Sequence, residues 1–140
     1  MKYRGAAYFV WVVGLLTVCI PAFAHHGLAA YDMKKTITLK ATVTEFQWQN
    51  PHSELYFDVK DDNGKVVHWG CETLSPAFLS RDVGWQRTSV KPGDQITITL
   101  YQGKSGGPYG IVDKVVLSDG KVFDINIARR RKESGQSLNN

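Results

Sequence analysis

Alternating apolar and polar positions run through residues 36–127 and predict a chain built from β-strands. In the first predicted strand, residues 36–49, an apolar side chain occupies every second position from Ile37 to Val43. The phase then slips by one residue, because Phe46 and Trp48 continue the pattern on the other parity. A slip of this kind predicts a β-bulge, which bends a strand and increases its twist.

Further strands and one short helix follow in a recognisable order. Asn63-Gly64 is a strong hairpin signal, and Ser75-Pro76 is typical of a helix start over residues 75–82. We predict an all-β, OB-like Greek-key barrel of five to six strands, with a β-sandwich as the alternative. The barrel is favoured because the bent first strand and the helix after the third strand both fit its closure. The remaining strands are predicted over residues 54–61, 66–72, 95–102, 111–117 and 121–127.

The first 24 residues have the pattern of a cleavable secretory signal peptide. Lys2 and Arg4 precede an apolar stretch that is shorter than the roughly 20 residues a membrane-spanning helix needs. Ala22 and Ala24 supply the small residues that the signal peptidase requires. We therefore expect a periplasmic or secreted protein that begins at His25 and has no membrane span after cleavage.

The formal net charge of +4 depends on the two ends of the chain. Residues 25–128 contain 11 basic and 12 acidic side chains, so the composition does not support a basic face for nucleic acid, and we expect no nucleic-acid partner. The chain divides into a signal peptide (1–24), a polar lead-in (25–35), the barrel domain (36–127) and a basic tail (128–140) whose composition predicts disorder.

Several short motifs are spread over residues 25–123. Together they resemble a family of small exported bacterial proteins of unknown function. The resemblance implies a single exported domain and brings no assigned activity or functional residues. The motifs are His25-His26-Gly27, Tyr31-Asp32, Val43-Thr44-Glu45 before Trp48, Asn50-Pro51-His52, Trp69 with Glu72, Pro76, Arg81, Lys91-Pro92-Gly93-Asp94 and Asp119-Gly120.

Cleavage after Ala24 would create a nitrogen-rich N-terminus. The freed α-amine of His25 and its own imidazole can chelate one metal ion, and His26 adds a second imidazole. Nitrogen donors favour Cu(II), with zinc as the next choice. We predict a metal ion, copper first, or a small ligand near this N-terminus, although the same histidines could simply be solvated surface residues. The candidate metal ligands are His25, His26, His52, His68 and Glu72.

The alternative function is a protein- or glycan-binding module. OB barrels commonly bind oligosaccharides or oligonucleotides across one sheet face with exposed aromatic rings. Trp48 and Trp85 lie near the ends of predicted elements and are the candidates for such a platform, with an envelope protein or glycan as partner.

Catalysis has the least support in the sequence. Nucleophile-elbow, phosphate-loop and zinc-protease motifs are all missing. Cys71 is the single cysteine after residue 24, and it cannot form an internal disulfide. Cys71 and His68 are three residues apart and would face opposite sides of a strand, which disfavours a thiol nucleophile activated by that imidazole. The sequence favours a non-enzymatic binding domain.

Overall fold

The computed structural model describes residues 28–126. The predicted signal peptide, His25, His26 and the basic tail lie outside these residues. Within them, no helix is long and apolar enough to cross a membrane. The elements are a 3-10 turn Leu28–Ala30, β1 Tyr31–Gln47, β2 Glu54–Lys60, β3 Val66–Glu72, helix α1 Pro76–Phe78 continuing as a π turn Leu79–Val83, β4 Gln95–Gly103, β5 Tyr109–Leu117 and β6 Val122–Asp124.

Five of the strands form a closed barrel, and the sixth is an addition to it. The order is β3-β2-β1-β4-β5-β6, with antiparallel neighbours throughout. A parallel pairing of Gly70–Glu72 with Tyr109–Ile111 joins β3 to β5 and closes the barrel. This confirms the predicted OB-like barrel and excludes the β-sandwich alternative.

Strand β1 bends where the hydrophobic pattern slips. Its pairing with β2 shifts register between Val43 and Glu45, so Thr44 is the extra residue of a bulge. The bulge confirms the prediction made from the change of parity. It lets one long strand pair with β4 over its first part and with β2 over its last part, as barrel closure requires.

The strand also begins earlier than predicted. β1 starts at Tyr31, whereas the sequence suggested a polar lead-in up to residue 35. The discrepancy arises because residues 32–35 are exposed and mostly charged or polar, so they show no alternation. Tyr31 is the exception, since only 6% of its surface is exposed.

The barrel interior holds one continuous apolar core. Leu55, Phe57 and Cys71 point into it from β2 and β3, and all three are fully buried. Their neighbours in sequence therefore lie on the outer face, because successive strand residues alternate between faces. Cys71 packs as a small hydrophobic residue, and it lies on the opposite side of β3 from exposed His68, as the three-residue spacing predicted.

Trp85 belongs to this core, so the prediction of an exposed platform is wrong for that residue. Its side chain has no exposed surface, and its ring stacks between those of Phe46 and Phe123 at centroid distances of 5.3 and 4.9 Å. Trp48 is half-buried, with its ring edge against Phe46. Phe46 comes from β1 and Phe123 from β6, so the position of Trp85 just after the helix did not indicate that its side chain is buried.

Candidate ligand-binding pocket

An open pocket of about 640 Å³ lies on the outer face of β2 and β3. The loop between β1 and β2 forms one side, and the first residues of β1 and β5 form the other. The pocket therefore depends on barrel closure, since it gathers segments from distant parts of the chain. Its lining residues are Ala30, Tyr31, Gln49, Pro51, His52, Glu54, Glu72 and Tyr109.

Glu72 joins two of the other lining residues. Its Oε1 atom contacts Nδ1 of His52, and its Oε2 atom accepts a hydrogen bond of 2.9 Å from the Tyr31 hydroxyl. The Glu72 side chain is 13% exposed, whereas that of His52 is 49% exposed. Both carboxylate oxygens are thus engaged, which holds Glu72 in one orientation while the imidazole remains accessible.

Tyr31 acts as the hydrogen-bond donor in this group. Burial raises the pKa of its hydroxyl above the usual range, and the hydrogen bond and negative charge of Glu72 raise it further. The phenol therefore stays protonated throughout the physiological pH range, and its O–H donates a hydrogen bond to Glu72.

Backbone hydrogen bonds fix the position of His52. The Ser53 N–H donates to the Leu74 carbonyl at 3.0 Å, and the Thr73 N–H donates to the Ser53 carbonyl at 2.8 Å. The buried Thr73 hydroxyl donates to the same Ser53 carbonyl at 3.0 Å. These bonds tie the end of the β1–β2 loop to the residues that follow β3, which brings His52 beside Glu72.

Tyrosine rings form one wall of the pocket. Tyr31 and Tyr109 stack with their centroids 6.4 Å apart and their planes 25° from parallel, and Tyr109 is 40% exposed. Gly70 makes room for the wall, because a Cβ atom there would lie 3.1 Å from the Tyr56 ring and 3.2 Å from the Tyr109 ring. Burial is the main cause of the raised pKa of Tyr109, followed by the charges of Glu54 and Glu72.

Two carboxylates lie side by side in the pocket. Glu54 and Glu72 are directly opposite in the register of β2 and β3, an arrangement in which like charges destabilise each other. The Tyr56 hydroxyl donates a hydrogen bond to Glu54, which is the main cause of the rise in the pKa of Tyr56 to about 12. Tyrosine donors on both carboxylates offset part of the repulsion.

The structure brings together His52 and Glu72 and separates His68 from them. His68 lies on the same outer face of β3 as Glu72, four residues or about 13 Å along the strand. Its Nδ1 atom is 2.8 Å from Oδ1 of Asp58, and its ring stacks on Tyr56. Among residues 28–126 there is no group of three or more His, Cys, Asp or Glu side chains arranged for a metal ion.

Sequence reasoning missed Glu54, Tyr31 and Tyr109 among the lining residues, and it named three described residues that do not line the pocket, His68, Trp48 and Trp85. Glu54 could have been found, since it shares the outward parity of Glu72 across the predicted hairpin. Tyr31 and Tyr109 gave no such signal, because they meet only when β1 pairs with β4 and β4 pairs with β5. The lining includes neither Trp48 nor Trp85.

Comparison with known proteins identifies the family and adds no activity. A search of curated proteins finds no match. The model of a family of unknown function, DUF6152, matches residues 12–113 and so covers most of the chain. This confirms the resemblance to a family without an assigned function. The chain belongs to the family of unknown function DUF6152.

Proposed function

We propose that this protein is an exported domain that binds a metal ion, copper first, with His52 as a ligand through its Nε2 atom. The contact between Nδ1 of His52 and Glu72 is the observation that supports this most directly. A metal-binding histidine almost always donates its other ring N–H to a carboxylate, carbonyl or water, which fixes the tautomer and makes the free nitrogen more basic. With Nδ1 facing Glu72, Nε2 is the nitrogen available to a metal.

Glu72 takes the part of an orienting carboxylate in this proposal. The Glu72 side chain is largely buried, and its Oε2 atom accepts a hydrogen bond from Tyr31. Its Oε1 atom therefore restrains the half-exposed imidazole of His52. Such partners commonly change metal affinity by about 10- to 100-fold when they are removed. Glu72, predicted from the sequence as a ligand, is here the residue that positions one.

The mature N-terminus would supply the other nitrogen donors. Ala30 lines the pocket five residues after His25, and an extended chain spans roughly 3.3–3.6 Å per residue. His25 and His26 are therefore close enough in sequence to return to His52. The α-amine and imidazole of His25 with the imidazole of His52 make a nitrogen-rich set, which suits Cu(II) better than Zn(II).

Export is part of the same proposal, because only cleavage after Ala24 frees the α-amine of His25. The pattern of Lys2, the apolar stretch and Ala22-x-Ala24 supports a periplasmic or secreted location. The alternative of a glycan- or protein-binding module on Trp48 and Trp85 has less support, since Trp85 is buried.

A copper titration tests the proposal. Untagged protein is purified after export, its N-terminus is verified by mass spectrometry, and Cu(II) is titrated against a chromophoric chelator. We expect a Kd below about 1 μM, a loss of about tenfold or more in His52→Ala, and no change in His68→Ala. His68 is the matched control, because it also pairs with a carboxylate but lies outside the pocket.

A second variant isolates the N-terminal chelate. One alanine inserted ahead of His25 keeps every side chain but moves the α-amine, and we expect it to weaken Cu(II) binding and alter the nitrogen couplings in the electron paramagnetic resonance spectrum. Wild-type binding weaker than about 1 μM, or equal affinity in wild type and His52→Ala, would show that the proposal is wrong.

A further inference from the structure

The pocket is larger than a metal site needs. Its volume of about 640 Å³ falls within the range of small-molecule sites, which is about 300–1,000 Å³. His52 lies at the side formed by the β1–β2 loop, whereas Tyr31 and Tyr109 lie at the other side, formed by the first residues of β1 and β5. The whole pocket has the volume that a small organic ligand needs.

The lining determines the charge of that ligand. Two carboxylates, Glu54 and Glu72, line the pocket in direct register, and no lysine or arginine is among its lining residues within the described part of the chain. Both carboxylates also contribute to the raised pKa of Tyr109, so their negative potential extends to the exposed ring. An anion would be repelled here, and a cation would relieve the repulsion between the two carboxylates.

The tyrosine wall determines the shape and chemistry of the ligand. Tyr109 stacks on the buried Tyr31 ring and is itself 40% exposed, and the face of a tyrosine ring attracts a cation through its quadrupole. Gly70 keeps this wall close to β3, because any larger residue would press on the rings of Tyr56 and Tyr109. A site with aromatic faces beside carboxylates favours an alkylated ammonium group over a bare, strongly hydrated ion.

We infer that this pocket binds an organic cation, with its ammonium group near Glu54 and Glu72 and its carbon groups against Tyr109. The inference goes beyond the proposed metal binding and does not require it, because Glu54 and Tyr109 are separate from the metal donors. Neutral glycans are the competing ligand class, and a neutral oligosaccharide probe distinguishes them from an organic cation.

The test uses choline and its uncharged carbon isostere, 3,3-dimethylbutan-1-ol, as probes of equal shape. Both are titrated into chelator-treated exported protein and followed by NMR chemical shifts, with a neutral oligosaccharide as a third probe. We expect choline to bind about tenfold or more tightly than the isostere, and the oligosaccharide not to bind. Shifts should centre on Tyr109 and Gly70.

Matched variants decide whether the pocket is responsible. Glu54→Gln and Tyr109→Leu should each weaken choline binding about tenfold, whereas Asp58→Asn should leave it unchanged. Asp58 is the control, because it occupies the same outer face of β2 but pairs with His68 outside the pocket. Circular dichroism confirms that each variant is folded.

Two results would overturn the inference. Equal affinity for choline and its isostere would show that charge is not recognised, and unchanged choline binding in folded Glu54→Gln would show that the pocket is not the site. Tyr109→Leu should keep its Cu(II) affinity, because Tyr109 is not a metal donor, while the variant with one alanine inserted ahead of His25 should keep its choline affinity, because it leaves the pocket lining unchanged. Failure of the metal proposal is therefore distinguishable from failure of this one.

Discussion

His52 contacts Glu72 although β2 and nearly all of β3 separate them along the chain. The contact joins the Asn-Pro-His segment of the β1–β2 loop to the end of a strand whose other side faces the core. It also gives Nδ1 of His52 a largely buried carboxylate partner, whereas the partner of His68, Asp58, is more exposed. This pair is why the pocket, and not the histidine-rich sequence alone, is the best candidate for the function of the domain.

Replacing Glu72 tests whether it positions His52. Glu72→Gln keeps the shape of the side chain but removes its charge, so the imidazole loses the partner that fixes its tautomer. We expect Cu(II) affinity to fall by about 10- to 100-fold in the competition titration. Asp58→Asn breaks the corresponding pair with His68 and should leave copper affinity unchanged. Equal losses in both variants would contradict the assigned role of Glu72.

Trp85 should behave as a core residue without a role in binding. Its Nε1 atom is buried and has no hydrogen-bond partner among the described residues, so Trp85→Phe removes an unsatisfied donor while keeping an aromatic ring between Phe46 and Phe123. We expect Trp85→Ala to reduce the free energy of unfolding by roughly 3–5 kcal/mol, and Trp85→Phe by clearly less. Urea denaturation followed by circular dichroism measures both. A Phe variant as unstable as the Ala variant would refute this prediction.

Gly110 permits the close approach of β4 and β5. A Cβ atom at this position would lie 2.6 Å from Cδ1 of Leu100 and 2.7 Å from the backbone oxygen of Tyr101. Because the paired backbone cannot move aside, we expect Gly110→Ala to destabilise the protein by about 1–3 kcal/mol or more in thermal or urea unfolding. Gly107→Ala is the control, since its Cβ would meet only the Ser105 side chain at 3.9 Å. A stable Gly110→Ala protein would mean that the two strands are less closely packed.

The Cys71 thiol should not react with thiol reagents in the folded protein. Burial raises the pKa of its thiol to about 12, from a reference of 9.0 in the unfolded chain. Its contribution to stability is therefore complete below about pH 9 and is lost as the pH rises from 9 towards 12, because the unfolded chain releases the proton first. We expect Ellman's reagent to react at pH 8 only after denaturant is added. Rapid reaction with the native protein would contradict the burial of Cys71.

The alkaline side of the stability curve provides a second measurement of the same group. Wild-type protein should lose more stability between pH 8 and pH 10.5 than Cys71→Ser, in which the serine hydroxyl does not titrate in this range. Tyrosines with raised pKa values, such as Tyr56, contribute to the decline in both proteins above about pH 10. Parallel curves for the two proteins would show that the thiol titrates alike in the folded and unfolded states.

The sequence by itself determined the strands and the bend in β1, since the evidence for these features is local, and it favoured a barrel without excluding a sandwich. Alternation of side chains identifies each strand, Asn63-Gly64 marks the hairpin, and the change of parity before Phe46 marks the bulge that bends β1. Local patterns also placed Cys71 inside and His68 outside on opposite faces of β3. Local patterns did not predict that β1 begins at Tyr31, because the exposed residues that follow Tyr31 do not alternate between apolar and polar.

Only the tertiary structure decided which residues share a pocket. Tyr31, Glu72 and Tyr109 come together through barrel closure, which pairs β3 with β5 across a long separation in sequence. The tertiary packing likewise buried Trp85 between Phe46 of β1 and Phe123 of β6, which are far from it in sequence. Side-chain alternation reports the face that a residue occupies, whereas the partners on that face depend on register and closure, which are long-range properties of the folded chain.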